Sequence, residues 1–127
     1  MTRACAILVV LLLAGCDAET ARSTADEALY VQGKRAFQRL CAGCHEVRTR
    51  VHLTGPYLVG VEGRRAGSVK GFDYSVAMRD FGLEWDNDAL DAFLADPRTT
   101  IPGTKMAIEP LDDPAERAAV IYFITQR

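Results

Sequence analysis

Apolar residues recur at steps of three and four along the first third of the chain, which is the spacing of one face of an α-helix. Leu29, Phe37 and Leu40 follow this spacing, and Gly33 falls on the same face. Thr24-Ala25-Asp26-Glu27 has the form of a capping box, in which side chains satisfy the free backbone N–H groups at a helix start. The pattern therefore predicts a first helix that begins at Thr24.

A second helix is predicted in the second half of the chain. Asp86-Asn87-Asp88 can cap its start, and Pro97 requires it to end earlier. Leu90, Phe93 and Leu94 share one face of this segment. These three side chains are therefore expected to point into a core.

The last helix is predicted from Asp113-Pro114-Ala115-Glu116, which supplies an N-cap, a proline at the first helical position and a glutamate at the third. Val120, Ile121 and Ile124 form its apolar stripe. No segment has a convincing alternation of polar and apolar residues, and no internal repeat is present. The pattern as a whole indicates an all-α domain over residues 24–127.

The N-terminus has the pattern of an export signal. An unbroken apolar run from Ala4 to Leu13 follows a short positive start, and it is too short to cross a bilayer as a helix. Leu13-Ala14-Gly15-Cys16 resembles a bacterial lipobox, which predicts a signal peptide over residues 1–15, a lipidated Cys16 and a polar tether over 16–23. The alternative is an ordinary signal peptide with an incidental Cys16. Lipidation would place the protein on the periplasmic side of a bacterial membrane, and Asp17 resembles a signal for retention at the inner membrane.

Composition limits the classes of function. The chain has 127 residues, of which 49% are hydrophobic and 25% charged, as expected for one globular domain. Its net charge of −2 gives no electrostatic case for binding nucleic acid. One of the four cysteines, Cys5, lies in the leader, so only Cys16, Cys41 and Cys44 require a role in the mature protein.

Cys41-Ala42-Gly43-Cys44-His45 is the main chemical motif. A zinc site usually needs four ligands, and beyond these three only His52 remains. A thioredoxin-like redox pair should lie beside a strand–helix unit, which the pattern lacks. C-x-x-C-H is typical of c-type haem attachment, in which each thiol adds to a vinyl group and the adjacent imidazole binds the iron. The motif therefore predicts one haem, held covalently through Cys41 and Cys44 and ligated by His45.

A second iron ligand can come from either of two methionines. Met78 lies in a stretch predicted to form a short helix, where its alternative role is that of a core residue. Met106 follows Pro102 and Gly103 in an irregular stretch from Pro97 to Asp112, and long irregular loops are commonly functional. Met106 is therefore predicted as the ligand, and a His–Met pair is an electron-transfer arrangement.

The sequence resembles the class I cytochromes c of the mitochondrial and bacterial c2 type. The resemblance covers residue 33 to about residue 124 and rests on GKRAFQRLCAGCH, TGPYLVGVEGRRAGSVKGFDYS, the Trp85 region and DPRTTIPGTKM, in family order. It implies helices and loops wrapped around one covalently bound haem. It also implies that the first and last helices cross near Gly33 and Phe37.

The resemblance also implies roles for residues outside the motif. The Pro56 carbonyl should accept a hydrogen bond from the His45 ring, and Arg64, Tyr74 and Trp85 match positions near a buried haem propionate. Thr104 and Lys105 match the loop that carries the methionine, and His52 matches a structural histidine with no ligand role. Phe93 stands where a tyrosine often donates to the methionine sulfur, and Ile108 and Pro110 depart from the usual aromatic residue and glycine.

The implied function is single-electron transfer between respiratory or photosynthetic redox proteins, without catalysis. The alternatives are a cytochrome subunit of a periplasmic dehydrogenase or oxidase, and a haem peroxidase or ligand-binding protein. Partners are expected to dock at the haem edge of a monomer, unless the chain is a complex subunit. This edge departs from the lysine-ringed mitochondrial pattern, because the chain has only three lysines and carries other residues at the corresponding positions, among them Leu40, Leu53, Asp112 and Asp113.

Overall fold

The structure is a computed structural model that describes residues 16–126, with side chains from residue 23 onward. The helices of this part of the chain are α1 (Cys16–Leu40), α2 (Val76–Asp80), α3 (Asn87–Ala95), α4 (Pro97–Thr100) and α5 (Pro114–Thr125). Residues 16–126 contain no named strand, and an isolated bridge joins Arg65 to Glu84. The prediction of an all-α fold is therefore confirmed.

Two helices begin where their capping residues predict. The Asp86 carboxylate accepts a hydrogen bond from the Ala89 backbone N–H at 2.8 Å, and α3 starts at the next residue. The Asp113 carboxylate accepts from the Ala115 N–H at 2.8 Å, with Pro114 in the first turn of α5. In both cases a side-chain oxygen satisfies an N–H group that has no partner within the helix.

The first helix begins earlier than its capping box predicts. Its range, Cys16–Leu40, includes residues well before Thr24, so the backbone predicted to be a polar tether is helical. No proline or glycine lies between Cys16 and Gly33, and the segment includes alanine, glutamate and arginine, which favour helix. A capping sequence starts a helix only where the preceding residues leave helical geometry. The predicted leader over residues 1–15 and the Cys16 side chain lie outside what the structure describes.

The segment predicted to be irregular from Pro97 contains one short helix. The Asp96 carboxylate accepts from the N–H groups of Arg98 at 3.1 Å and Thr99 at 3.0 Å, and Pro97 occupies the first helical position. Because proline has a helical φ and no N–H to satisfy there, this turn is favoured locally. The chain is irregular from Ile101 to Asp113, as expected for the remainder.

Helices α1 and α5 cross at Gly33. A Cβ atom on Gly33 would lie 1.9 Å from the carbonyl oxygen of Ala119. Ala119 is fully buried. Phe123 packs beside the crossing, with its ring centroid 5.4 Å from that of Phe37 and 5.2 Å from that of Tyr30. The predicted crossing near Gly33 and Phe37 is therefore confirmed.

Arg117 joins α5 to α3 and to the loop between them. Its guanidinium donates to Asp91 at 2.7 Å and to the Leu111 carbonyl at 2.6 Å. The backbone N–H of Leu111 donates in turn to the Leu94 carbonyl at 3.1 Å. These bonds attach the end of the 101–113 loop to the helical frame.

Replacing Gly33 with alanine is expected to destabilise the protein, because the added methyl group must push α1 and α5 apart. Overpacking of this kind costs about 2 kcal/mol, more than the roughly 1 kcal/mol that alanine gains over glycine in a helix. Urea unfolding of the holoprotein followed by circular dichroism measures the change. Gly43→Ala is the control, because its Cβ would meet nothing within 4 Å. Equal stability of wild type and Gly33→Ala would contradict the close crossing.

Candidate functional site

A cavity of about 320 Å³ lies between the helices and the loops that connect them. Cys41, Cys44, His45 and Met106 all line it, although Met106 is far from the others in sequence. Most of the remaining lining is apolar and comes from α1, α3, α5 and the irregular segments; it includes Phe37, Leu58, Val61, Phe72, Trp85, Leu90, Phe93, Leu94, Val120 and Ile124. The fold therefore brings the predicted attachment residues and the predicted second ligand to one apolar space.

The attachment motif forms a tight turn directly after α1. The backbone N–H of Cys41 donates to Phe37, and those of Cys44 and His45 donate to the Cys41 carbonyl at 3.0 and 2.9 Å. Cys41 is buried, Cys44 is exposed, and no disulfide joins them. Burial and the neighbouring Cys44 raise the pKa of Cys41 to about 11. The turn thus directs both sulfur atoms and the imidazole to the same cavity.

The His45 ring is held in one orientation by its neighbours. Its Nδ1 lies 2.7 Å from the Pro56 carbonyl oxygen, which can only accept a hydrogen bond, so Nδ1 carries the proton. The lone pair is then on Nε2, the nitrogen left to bind a metal. Burial lowers the pKa of His45, and the hydrogen bond to Pro56 acts in the opposite direction. The predicted contact between His45 and Pro56 is therefore present in the structure.

Gly55 allows the His45 ring to fit. A Cβ atom at residue 55 would lie 2.4 Å from the ring carbon Cε1, closer than any side chain could approach. The backbone N–H of Gly55 also donates to the Cys44 carbonyl at 2.8 Å. Sequence reasoning did not single out this residue, and its only sequence signal is its place before Pro56.

Both candidate methionines line the cavity, and they differ in their setting. Met78 is buried in the middle of α2 and packs in the core. Met106 is half-buried on the irregular loop, where its N–H donates to the Thr104 hydroxyl at 3.2 Å. The loop is anchored by Ile101, which is 1% exposed. Met106 therefore belongs to a segment that can present its sulfur without breaking a helix.

Arg64, Tyr74 and Trp85 also line the cavity, as their predicted role near a propionate requires. The Arg64 guanidinium donates to the carbonyls of Val59 at 3.0 Å and Tyr57 at 3.1 Å. Burial lowers the pKa of Arg64 and raises the pKa of Tyr74, with each group's charge acting against the shift of the other. A cation and a phenol at a partly buried wall are suitable partners for a carboxylate.

His52 is placed outside the cavity. Its Nε2 lies 3.1 Å from the Lys70 carbonyl oxygen, and its ring stacks on Tyr57 with centroids 5.1 Å apart. These contacts join two loops, which agrees with the predicted structural role of this histidine.

The donor set fits a c-type haem better than a bare metal ion. Two thiols, an imidazole with a free Nε2 and a thioether surround an apolar space, which suits a large planar cofactor with a central iron. Among residues 16–126, no group of three or more histidine, cysteine, aspartate or glutamate side chains could hold a metal ion. This geometry gives no support to the zinc alternative.

The family model for cytochrome c matches residues 30–127. The chain belongs to the cytochrome c family. It is 41% identical to cytochrome c type-1 of Ascaris suum over 79% of this chain and 89% of that protein. It is 44% identical to cytochrome c2 iso-2 of Magnetospirillum fulvum over 67% of this chain and 88% of that protein. The solved structure of cytochrome cH from Methylobacterium extorquens aligns with a TM-score of 0.72 and 34% identity, over 77% of this chain and 98% of that structure.

Membership of the family decides the cofactor and the general activity. Cytochromes c carry one haem c, bound covalently through a cysteine pair, with iron at its centre. The chain is accordingly a c2-like electron-transfer protein and not an enzyme. The predicted class I cytochrome c fold is confirmed by the same comparisons.

Replacing Phe93 with tyrosine is expected to raise the reduction potential of the haem. Phe93 is buried, lines the cavity and packs 5.2 Å from the Trp85 ring centroid, so an added hydroxyl would enter the space shared with Met106. A hydrogen bond to the methionine sulfur would withdraw electron density from it and weaken its support of ferric iron more than of ferrous iron. Equilibrium redox titration measures the shift.

Phe81→Tyr is the matched control for this change. Phe81 also packs near Trp85, at 6.4 Å, but it does not line the cavity, so its hydroxyl should leave the potential nearly unchanged. An unchanged or lowered potential in Phe93→Tyr, with methionine ligation intact, would contradict the hydrogen-bond effect.

Proposed function

We propose that this cytochrome is a membrane-anchored periplasmic carrier of single electrons, with haem iron ligated by His45 Nε2 and Met106 Sδ. The observation that carries the proposal is that both side chains, with Cys41 and Cys44, line one apolar cavity in a cytochrome c chain. Haem bound there would supply a one-electron couple. With His45 and Met106 both bound to the iron, no coordination position would be left for a substrate.

Other residues of the cavity are proposed to orient the ligands, exclude water and bind a haem propionate. Pro56 and Gly55 hold the imidazole, and the apolar lining excludes water from the cavity. Arg64, Tyr74 and Trp85 are proposed to offer donors to a buried propionate. Thr104 accepts the Met106 N–H and thereby shapes the loop next to the sulfur.

The proposed anchor is a lipid on Cys16. No helix in the described part of the chain is long and apolar enough to cross a membrane. Because α1 extends back to Cys16, residues 16–23 would form a helical spacer about 12 Å long between the lipid and the predicted domain. Several acyl chains on one residue suffice for stable anchoring. The proposed location is the periplasmic side of the inner membrane.

The partner is proposed to be a redox protein that docks at the haem edge. Charge placement controls docking rate and specificity, and this chain has few lysines to attract a strongly acidic surface. Large apolar side chains, including Leu53 and Val76, are exposed instead. The alternative is a subunit that stays bound to a dehydrogenase or oxidase. Co-purification from gently solubilised membranes distinguishes a bound subunit from a free carrier.

Met106→Ala is expected to abolish methionine ligation and to open the iron to small ligands, because the loop then carries no sulfur. The near-infrared sulfur–iron charge-transfer band of the ferric protein is the measurement. Met78→Ala is the control and should retain the band, although it will lose stability because Met78 is buried. Survival of the band in Met106→Ala with its loss in Met78→Ala would reverse the assignment.

Cys16→Ser is expected to release the protein from the membrane while haem attachment through Cys41 and Cys44 continues. Serine cannot accept the thioether-linked lipid, and the predicted haem attachment uses Cys41 and Cys44, which this change leaves in place. Membrane fractionation with detection of covalent haem checks both parts. Recovery of the wild-type holoprotein entirely in the soluble periplasmic extract would rule out the anchor.

A further inference from the structure

Lys105, which directly precedes Met106, is bonded to one residue on another segment. Its Nζ donates to the Asp73 carboxylate oxygen Oδ2 at 2.7 Å and to the Asp73 main-chain oxygen at 2.9 Å. The neighbours of Asp73, which are Phe72 and Tyr74, line the cavity, as Lys105 and Met106 do. The pair therefore links two segments of the cavity wall that are far apart in sequence.

The methionine loop has few other attachments near Met106. Before it, Ile101 is buried and Gly103 packs against Ala77, where an added Cβ would lie 3.2 Å from the alanine methyl group. After it, the next hydrogen bond is that of Leu111 to Leu94. Residues 107–110 make no hydrogen bond with any other residue between 16 and 126. Among the polar contacts between this loop and other segments, the one between Lys105 and Asp73 therefore lies closest to Met106.

Asp73 is itself held from the opposite side. Arg79, at the end of α2, lies 3.9 Å from its other carboxylate oxygen and donates to the Tyr74 carbonyl. The hydrogen bond from Lys105 and the charges of Lys105 and Arg79 lower the pKa of Asp73. The carboxylate is therefore charged at neutral pH and directed between two cations.

We infer that Asp73 is a positioning residue, whose carboxylate holds Lys105 and so keeps the Met106 loop closed over the cavity. The inference rests on the proposed ligation by Met106 and adds a residue that controls how often the sulfur leaves the iron. A neutral side chain of the same size would keep the backbone contact and lose the charge attraction.

A small interaction is sufficient for this role. The Asp73 side chain is 90% exposed and that of Lys105 is 56% exposed, and exposed ion pairs contribute little to global stability. Opening of a loop has a much smaller free energy than unfolding of the whole protein. The same pair can therefore change the loop-opening equilibrium severalfold while the melting temperature stays nearly constant.

We call the ion pair between Asp73 and Lys105 the latch. Asp73→Asn tests it through the binding of free imidazole to the ferric holoprotein, because imidazole can bind only after Met106 has left the iron. At low salt the binding rate should rise about 1.5- to fivefold, the range given by exposed ion pairs. Salt screens such pairs, so the wild-type rate should rise toward that of the variant as ionic strength increases, while the variant stays nearly constant. Amide hydrogen exchange at residues 104–108 should accelerate in parallel, with an unchanged melting temperature.

Asp80→Asn is the matched control. It removes the same charge from an exposed aspartate whose side chain makes no hydrogen bond or ion pair within the described chain, and its imidazole binding should match the wild type. A double-mutant cycle with Lys105→Gln adds a second test, since the double variant should bind imidazole no faster than the faster single variant. Wild-type rates in Asp73→Asn, or equal acceleration in Asp80→Asn, would overturn the latch.

The near-infrared band of the wild type separates this inference from the proposed function. If the band is absent from the wild type, or survives in Met106→Ala, the Met106 assignment is wrong and the inference about Asp73 is wrong with it. If the band is present and is lost in Met106→Ala, while Asp73→Asn behaves as the wild type does, only the inference about Asp73 is wrong.

Discussion

The close crossing of α1 and α5 at Gly33 is the constraint on which the cavity depends. Because residue 33 has no side chain, the α1 backbone can approach the Ala119 carbonyl directly, and the aromatic rings of Phe37 and Phe123 pack beside it. The attachment motif follows α1 without a linker. The position of the two thiols and of His45 relative to α5 is therefore determined by this crossing. Val120 and Ile124 of α5 then form part of the cavity wall.

The two proposed iron ligands are supported in very different ways. His45 is attached on several sides, since its ring bonds to Pro56, packs on Gly55, and follows a turn closed by backbone hydrogen bonds. Met106 lies on a loop that is anchored at Ile101 and Leu111 and has few bonds between them. Local opening occurs where contacts are few. The histidine side of the cavity is consequently the rigid one, and the methionine side is where exchange of a ligand would start.

Three basic side chains bond to the loops of this protein. Arg117 joins Asp91 to the Leu111 carbonyl, Arg64 closes the 57–64 loop through two carbonyls, and Lys105 joins the methionine loop to Asp73. Each cation bonds to main-chain oxygens in segments that have no regular structure. Because irregular backbone lacks the internal hydrogen bonds of a helix, such side chains supply partners that the backbone cannot supply itself. Fewer basic groups then remain to attract an acidic partner.

The local elements of this protein were predictable because their signals are local. Asp86 and Asp113 mark the starts of α3 and α5 through contacts only two or three residues long, and apolar spacing identified the inward faces of both helices. Haem attachment was equally predictable, since the two thiols and the imidazole of the motif lie within one turn. The start of α1 was missed because a capping box does not show whether the preceding residues are already helical. The helical turn at Pro97 was missed because Asp96 was not recognised as its N-cap.

Only the tertiary structure decided which distant residues meet. The roles of Pro56, Arg64, Tyr74 and Trp85 came from family resemblance, and the structure places them at the cavity through loops that no periodic pattern describes. Gly55 beside His45 and Asp73 beside Lys105 could not be derived from the sequence at all. Their partners are 10 and 32 positions away along the chain, and no local propensity specifies how irregular segments fold against each other. The sequence by itself therefore determined the starts and inward faces of α3 and α5 and the haem motif, because their signals lie within a few residues. The geometry that holds each ligand depends on contacts that exist only after the loops have packed.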